Sequence, residues 1–146
     1  EERGQGEAIA RNLFEIARVK VPIISIIIGE GGSGGAIALA CGDKVWALEN
    51  SVYSILSPEG FASILLKDSS KAKEVTEIMG ITSYDLLNKG IIEKIITEPS
   101  DGAQNDIKSV VKELKSSLIV EINNLKSLDI NDLLEKRYNR YRKFFN

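Results

Sequence analysis

Apolar residues recur along the chain with two periods, and the change from one to the other outlines its elements. Ile9, Leu13, Ile16 and Ala17 stand at helical spacing, which predicts a helix over 7–19. Lys20 and Pro22 break that stripe. A nearly continuous β-branched run over 23–28 then predicts a strand buried on both faces, as in a parallel sheet. A glycine cluster over 29–35 follows and opens into Ala36-Ile37-Ala38-Leu39-Ala40-Cys41, a small-residue stretch that reads as a short buried helix ended by Gly42-Asp43.

Two further strands are expected over 44–48 and 52–56, parted by the turn residues Glu49-Asn50-Ser51. Ser57-Pro58-Glu59 has the form of a helix start: a serine N-cap, a proline at the first helical position and a carboxylate at the positive end of the dipole. Short helices are predicted over 61–66, 70–79 and 83–88, and a last strand over 93–97. Beyond Pro99 the pattern changes. Ile107, Val110, Val111, Leu114, Leu118, Ile122 and Leu125 trace a long amphipathic helix. A second helix begins near Asp129 and carries Leu133, Leu134, Tyr138, Tyr141 and Phe145 on one side. Both offer more apolar surface than the rest of the chain obviously buries.

Composition narrows the chemistry. With 146 residues and 43% apolar content the chain can pack a core. It starts at Glu1, within a run that already reads as helix, so a fragment with something removed upstream is expected. A net charge of −2 argues for solubility and against a dedicated nucleic-acid surface. No apolar run reaches about 18 residues and no secretory leader is visible, so neither a membrane span nor export is expected. The lone Cys41 suits a reducing compartment, and a cytoplasmic location is expected. The chain has no histidine, which removes Ser-His-Asp and Cys-His catalysis and the common zinc sites.

The glycine cluster admits several readings. A P-loop fails, because Gly35-Ala36 stands where Lys-Ser/Thr is needed. A dinucleotide fingerprint fits Gly29, Gly31 and Gly34, with Glu49 placed 20 residues after Gly29, but the helix that follows is short for it. An oxyanion hole is a third reading: bare N–H groups at a helix start, with the dipole behind them, stabilise negative charge. The fourth is that the glycines only permit close packing of helix on strand.

The stretch IIIGEGGSGGAIALACGDKV resembles the strand, glycine turn and short helix that form half of the oxyanion hole in crotonase-superfamily proteins. More narrowly, EERGQGEAIARNL, GEGGSGGA, ENSVYSILSPEG and KRYNRYRKF resemble, in that order, the alpha subunit of acetyl-CoA carboxylase carboxyltransferases, and the match covers essentially the whole chain. The resemblance implies an α/β fold: a partial crotonase-like ββα spiral followed by two long C-terminal helices. Residues 1–100 would be the C-terminal half of the carboxyltransferase domain, and 101–146 its helical interface extension.

It also implies a reaction. Carboxybiotin arrives on a biotin carboxyl carrier protein, and its carboxyl group moves to the methyl carbon of acetyl-CoA to give malonyl-CoA for fatty acid synthesis. Loss of carbon dioxide leaves charge on the ureido oxygen, and that ion can take the methyl proton, so no protein base is required. Carried over by position, Gly34 and Gly35 are the candidate oxyanion donors, with the Ala36 N–H adjacent. Gly31 and Gly32 shape the turn and, with Tyr53 and Ser57, are candidates to line the biotin site. No metal is expected on this chain. A zinc ribbon and most acyl-CoA contacts would belong to a beta subunit, in an α2β2 assembly without nucleic acid or membrane, and ATP would be used by a separate biotin carboxylase. Where the family often has Gly-Gly-Ala-His after the proline matching Pro99, this chain has Asp101-Gly102-Ala103-Gln104.

Other residues have plainer expected roles. Glu59 fits a helix start better than a catalytic carboxylate, Cys41 an inert thiol, and Trp46 a core position. For Tyr53 and Ser57, packing on the strand surface is the alternative. The basic residues Lys136, Arg137, Arg140, Arg142 and Lys143 are expected to form the solvated face of an interface helix, and both terminal helices to pack on another subunit.

Overall fold

The computed structural model describes residues 3–100 and 102–145, apart from the side chain of Phe145. The sequence expectations at Glu1, Asp101 and the Phe145 side chain lie outside those residues. Helix α1 (Gln5–Arg18) leads to strand β1 (Ile24–Ile27), β2 (Glu30–Gly32), α2 (Ser33–Ala40), β3 (Lys44–Leu48) and β4 (Val52–Ser54). Then come α3 (Pro58–Leu65), α4 (Ala72–Met79), α5 (Ser83–Asn88), β5 (Lys94–Ile96), α6 (Ile107–Lys126) and α7 (Ile130–Arg142).

Strands β1, β3 and β5 form a parallel sheet with β3 at its centre, in a register that sets Trp46 against Ile26 and Lys94. Because successive strand side chains point to opposite faces, β3 feeds two cores. Val45 and Ala47 pack with Ile27, Leu86 and Ile92 on one face, beneath α2 and α5. Trp46 and Leu48 pack with Ile96 and Val110 on the other, beneath α6. The predicted burial of Trp46 and the α/β, parallel-sheet class are thus observed.

The glycine cluster behaves differently from its prediction as a turn. Glu30–Gly32 is a strand, paired in parallel with β4 through Glu30–Val52, Gly31–Tyr53 and Gly32–Ser54. Glycine has little strand propensity of its own. The tertiary ladder supplies what local preference lacks, and the helix begins directly after it at Ser33.

Helix α7 departs most from expectation. Its inward side carries Leu133, Arg137, Arg140 and Tyr141, whereas Tyr138 is exposed. Arg137 is only 3% exposed. Its Nε and Nη2 donate to the two carboxylate oxygens of Asp43, both at 2.8 Å, and Asp43 also accepts from the Ile23 N–H at 2.7 Å. The remaining guanidinium hydrogens reach the carbonyls of Val19 at 2.7 Å, Val21 at 2.9 Å, and, more distantly, Ile16 at 3.3 Å. One cation therefore closes the C-terminal end of α1 and the start of β1 onto α7. Arg140 repeats the device beside it, donating to Glu93 at 2.8 Å and to the Ile91 carbonyl at 2.6 Å. These two arginines are structural anchors rather than part of a solvated face, while Lys136, Arg142 and Lys143 remain exposed.

On α6, Val110 and Leu125 are buried and Leu114 and Leu118 half-buried, but Ile107, Val111, Ile119 and Ile122 stay exposed. Its apolar stripe is wider than the sheet it covers, as the periodicity implied.

Removing one partner of a buried, hydrogen-bonded ion pair strands the other charge. Arg137→Ala is expected to destabilise the fold by about 3–5 kcal/mol in urea unfolding, with Arg137→Lys intermediate because it loses the fork geometry.

Candidate active site

Strand β2 runs directly into α2 through a tight corner. Gly32 at the N-cap is extended, with φ −131° and ψ 158°, and Ser33 takes a left-handed φ of 54°, unusual for a residue with a Cβ. No side chain caps the helix and no carboxylate lies in its first turn. By the i→i−4 pattern, the N–H groups of Ser33, Gly34 and Gly35 have no partner inside the helix. The partial positive charge at this end is therefore unspent by the chain itself. Ala36 lies one residue deeper: its N–H has the Gly32 carbonyl as its helical partner, and its side chain is fully buried.

The glycines divide by what surrounds them. A Cβ on Gly31 would stand 2.8 Å from Tyr53 Cδ2 and 3.4 Å from Ile27 Cγ2, so Gly31 is required by packing. A Cβ on Gly34 or Gly35 would meet nothing within 4 Å. Nothing in the chain's own packing asks for glycine there, and both backbones are approachable from outside. Close packing thus accounts for Gly31 but not for Gly34 or Gly35.

Gly31, Gly32 and Gly35 line one cleft of about 600 Å³, together with Ser25, Glu30 and the apolar flank of α2. Among the described residues, Glu30 is the ionisable one lining it. Tyr53 belongs to a separate, mostly apolar cavity of about 740 Å³ on the far side of α2. Its hydroxyl donates to the Ala36 carbonyl at 2.5 Å. Burial pushes the Tyr53 phenol above its ordinary pKa, with Arg140 partly offsetting the effect. Ser57 lies outside both cavities. Its Oγ accepts from the Gly60 N–H at 3.1 Å, capping α3, with Glu59 in the first turn as the sequence suggests.

The remaining candidates have structural surroundings. Glu49, the acidic residue of the dinucleotide reading, accepts from the Tyr84 hydroxyl at 2.5 Å and the Glu98 N–H at 2.9 Å, and both hold its carboxyl below the usual range. It ties two strand ends together instead of offering a free ribose acceptor. Cys41 is half-buried and its thiol is pushed up by burial, so it is a poor nucleophile. Among the described residues, no group of three or more His, Cys, Asp or Glu could hold a metal ion, and no helix is long and apolar enough to cross a membrane.

Sequence reasoning missed the Arg137–Asp43 and Arg140–Glu93 pairs. The available signal was position: Arg137, Arg140 and Tyr141 stand three and four residues apart on the side of α7 shared with Leu133 and Leu134.

If ligand access rather than folding explains the two unhindered glycines, substitution there should leave the fold intact. Gly35→Ala is expected to hold or raise thermal stability, by up to about 1 kcal/mol from helix propensity. Gly31→Ala should lower it by about 1–3 kcal/mol through collision with Tyr53. Paired melting curves decide this.

Several known proteins are similar to this chain. The alpha subunit of the acetyl-coenzyme A carboxylase carboxyl transferase of Clostridium acetobutylicum is 61% identical over 142 residues, which is 97% of this chain and 52% of that protein. A Clostridium tetani relative named for the beta/alpha subunits together is 58% identical over 97% of the chain and 25% of its own length. The chain therefore spans about half, or less, of the length of the relatives it matches. Among solved structures, a Pseudomonas malonate decarboxylase hetero-tetramer in complex with coenzyme A aligns with a TM-score of 0.74 at 16% identity, covering 98% of this chain and 57% of that one. An enoyl-CoA hydratase/isomerase from Marinobacter aquaeolei aligns with a TM-score of 0.58 at 14% identity, over 93% and 50%. These two likenesses place the fold as crotonase-like. The model of the acetyl co-enzyme A carboxylase carboxyltransferase-like family matches residues 1–145, and the chain belongs to that family.

Proposed function

We propose that the chain provides the biotin-facing side of an acetyl-CoA carboxyltransferase, which moves a carboxyl group from carboxybiotin to acetyl-CoA and yields malonyl-CoA. One observation carries the reading. At the start of α2 the N–H groups of Gly34 and Gly35 lack a helical partner, and no protein atom lies where their side chains would be.

Carboxybiotin, when delivered, supplies the carboxyl group and leaves negative charge on its ureido oxygen. The chain's part is to meet that charge with fixed donors. Backbone N–H groups at a helix start need no reorganisation as charge develops, and one such donor is worth on the order of 3–4 kcal/mol. Gly34 and Gly35 admit the ring edge because no Cβ intervenes. Ser25 and Glu30 sit on the wall of the same cleft as Gly35. The chain has no histidine to act as general base, and the reading asks for none, since the methyl proton can pass to the biotin oxygen.

The partners follow from the same reading. Relatives named for beta and alpha subunits together support a beta subunit as neighbour. The carrier protein, the α2β2 stoichiometry, a zinc ribbon restricted to the beta subunit and ATP use by a separate biotin carboxylase belong to the proposal, as does a cytoplasmic setting. The exposed stripe of α6 (Ile107, Val111, Ile119, Ile122) is where a partner would seat.

Gly35→Val tests the reading in a complex reconstituted with the beta subunit and the biotinylated carrier. Malonyl-CoA formation is expected to fall about 10²–10³-fold, while co-elution of the components on size exclusion is unchanged. An undiminished rate would leave the chain a structural piece of the complex.

A further inference from the structure

Helix α2 presents an unusual problem of alignment. It is apolar all round, and only Ala36 among its residues is fully buried. A helix of that kind has no polar face to fix its rotation about its own axis. Yet on the proposed reading that rotation decides where two backbone N–H groups point, and a misplacement of about 1 Å can cost on the order of 10²-fold in rate.

Among the described residues, two side-chain hydrogen bonds hold α2 to the rest of the chain. At its C-terminal end Arg140 reaches the Ala40 carbonyl at a long 3.4 Å. In its first turns the Tyr53 hydroxyl donates to the Ala36 carbonyl at 2.5 Å. The ring of Tyr53 also occupies the space a Cβ on Gly31 would need. Tyr53 therefore grips both arms of the corner, the strand through its ring and the helix through its hydroxyl, with Ser33 at a left-handed φ of 54° between them. The ring's other side borders the apolar cavity of about 740 Å³. The Tyr53 ring also packs against the core formed by Ile27, Val45 and Leu86, so ring and hydroxyl together fix the side chain between strand and helix.

We propose that Tyr53 is a positioning residue for the transfer reaction: its hydroxyl on the Ala36 carbonyl sets the roll of α2 and so the aim of the Gly34 and Gly35 N–H groups. This rests on the proposed oxyanion role of those glycines and replaces direct contact between Tyr53 and biotin. Burial keeps the phenol protonated, hence a donor, well above neutral pH.

Tyr53→Phe removes the hydroxyl and keeps the ring. In the reconstituted complex, run in reverse with malonyl-CoA and free biocytin, the expected result is at least a tenfold fall in kcat with KM for biocytin within about twofold. In ¹⁵N–¹H spectra of the same variant, the Gly34 and Gly35 amide resonances should move while those of α6 stay in place. Unmoved glycine amides overturn the proposal, and so does an unchanged kcat or a loss confined to KM, which would mark Tyr53 as a direct contact. If the wild-type complex transfers no carboxyl group, the functional reading fails by itself and the amide shifts alone decide whether Tyr53 orients the helix.

Discussion

The guanidinium of Arg137 is the point at which the two ends of the chain are joined. It lies buried against Asp43 and draws in the carbonyls of Val19 and Val21, so that α1, the start of β1 and α7 share one polar centre. Taking such a cation out of water is costly, and the cost is met only because its donors find close acceptors. Asp43 in turn accepts from the Ile23 N–H, which fixes where β1 begins. A neutral side chain could fill the same volume, but it could not bind a carboxylate and a row of helix-end carbonyls at once. The constraint is therefore geometric as much as energetic.

Everything nearer the cleft inherits that constraint. Arg140, one turn further along α7, holds Glu93 and the Ile91 carbonyl, and Glu93 accepts from the Val45 N–H at 2.7 Å. Tyr141 beside it donates to the Gly42 carbonyl at 3.2 Å, and burial pushes its phenol up to about 12, so it stays a donor. The last helix thus braces the entry of β1, β3 and β5 and the exit of α2. The opposite end of α2 is left bare. The hydrogen bonds from α7 are thus gathered at the end of α2 away from the glycine corner.

Much of this was legible in the residues and part was not. The alternation that sends Val45 and Trp46 to opposite faces, the capped starts at Ser57 and Asp129, and α5 over Ser83–Asn88 all follow from local pattern. The strand at Glu30–Gly32 does not, because three residues with two glycines carry no strand signal until Val52–Ser54 lies alongside. Basic residues in α7 read locally as solvent-facing. Only the tertiary arrangement, which brings Asp43 to Arg137 across 94 residues of sequence, reveals a buried anchor. At the candidate site, the glycine cluster was visible as a group, but its division was not. Gly31 is set apart from Gly34 and Gly35 by the Tyr53 ring, a contact between paired strands.

That division bears on how, on the proposed reading, a chain without histidine would serve proton-transfer chemistry at all. Side-chain bases work by holding a proton and moving it, whereas a helix start works by being a fixed charge distribution that a developing anion meets already formed. The second device needs no titratable group, but it demands an apolar, well-aligned helix and an unobstructed backbone. Here α2 is apolar beyond Ser33, its first turn has no competing carboxylate, and Gly34 and Gly35 carry no Cβ. The price is loss of any polar face to steer the helix, a loss that on the proposed reading the Tyr53 hydroxyl answers at the carbonyl of Ala36. The same features that make the corner electrostatically useful leave α2 with few polar ties, of which the Tyr53 hydroxyl is the one at the glycine end and Arg140 the one at the other.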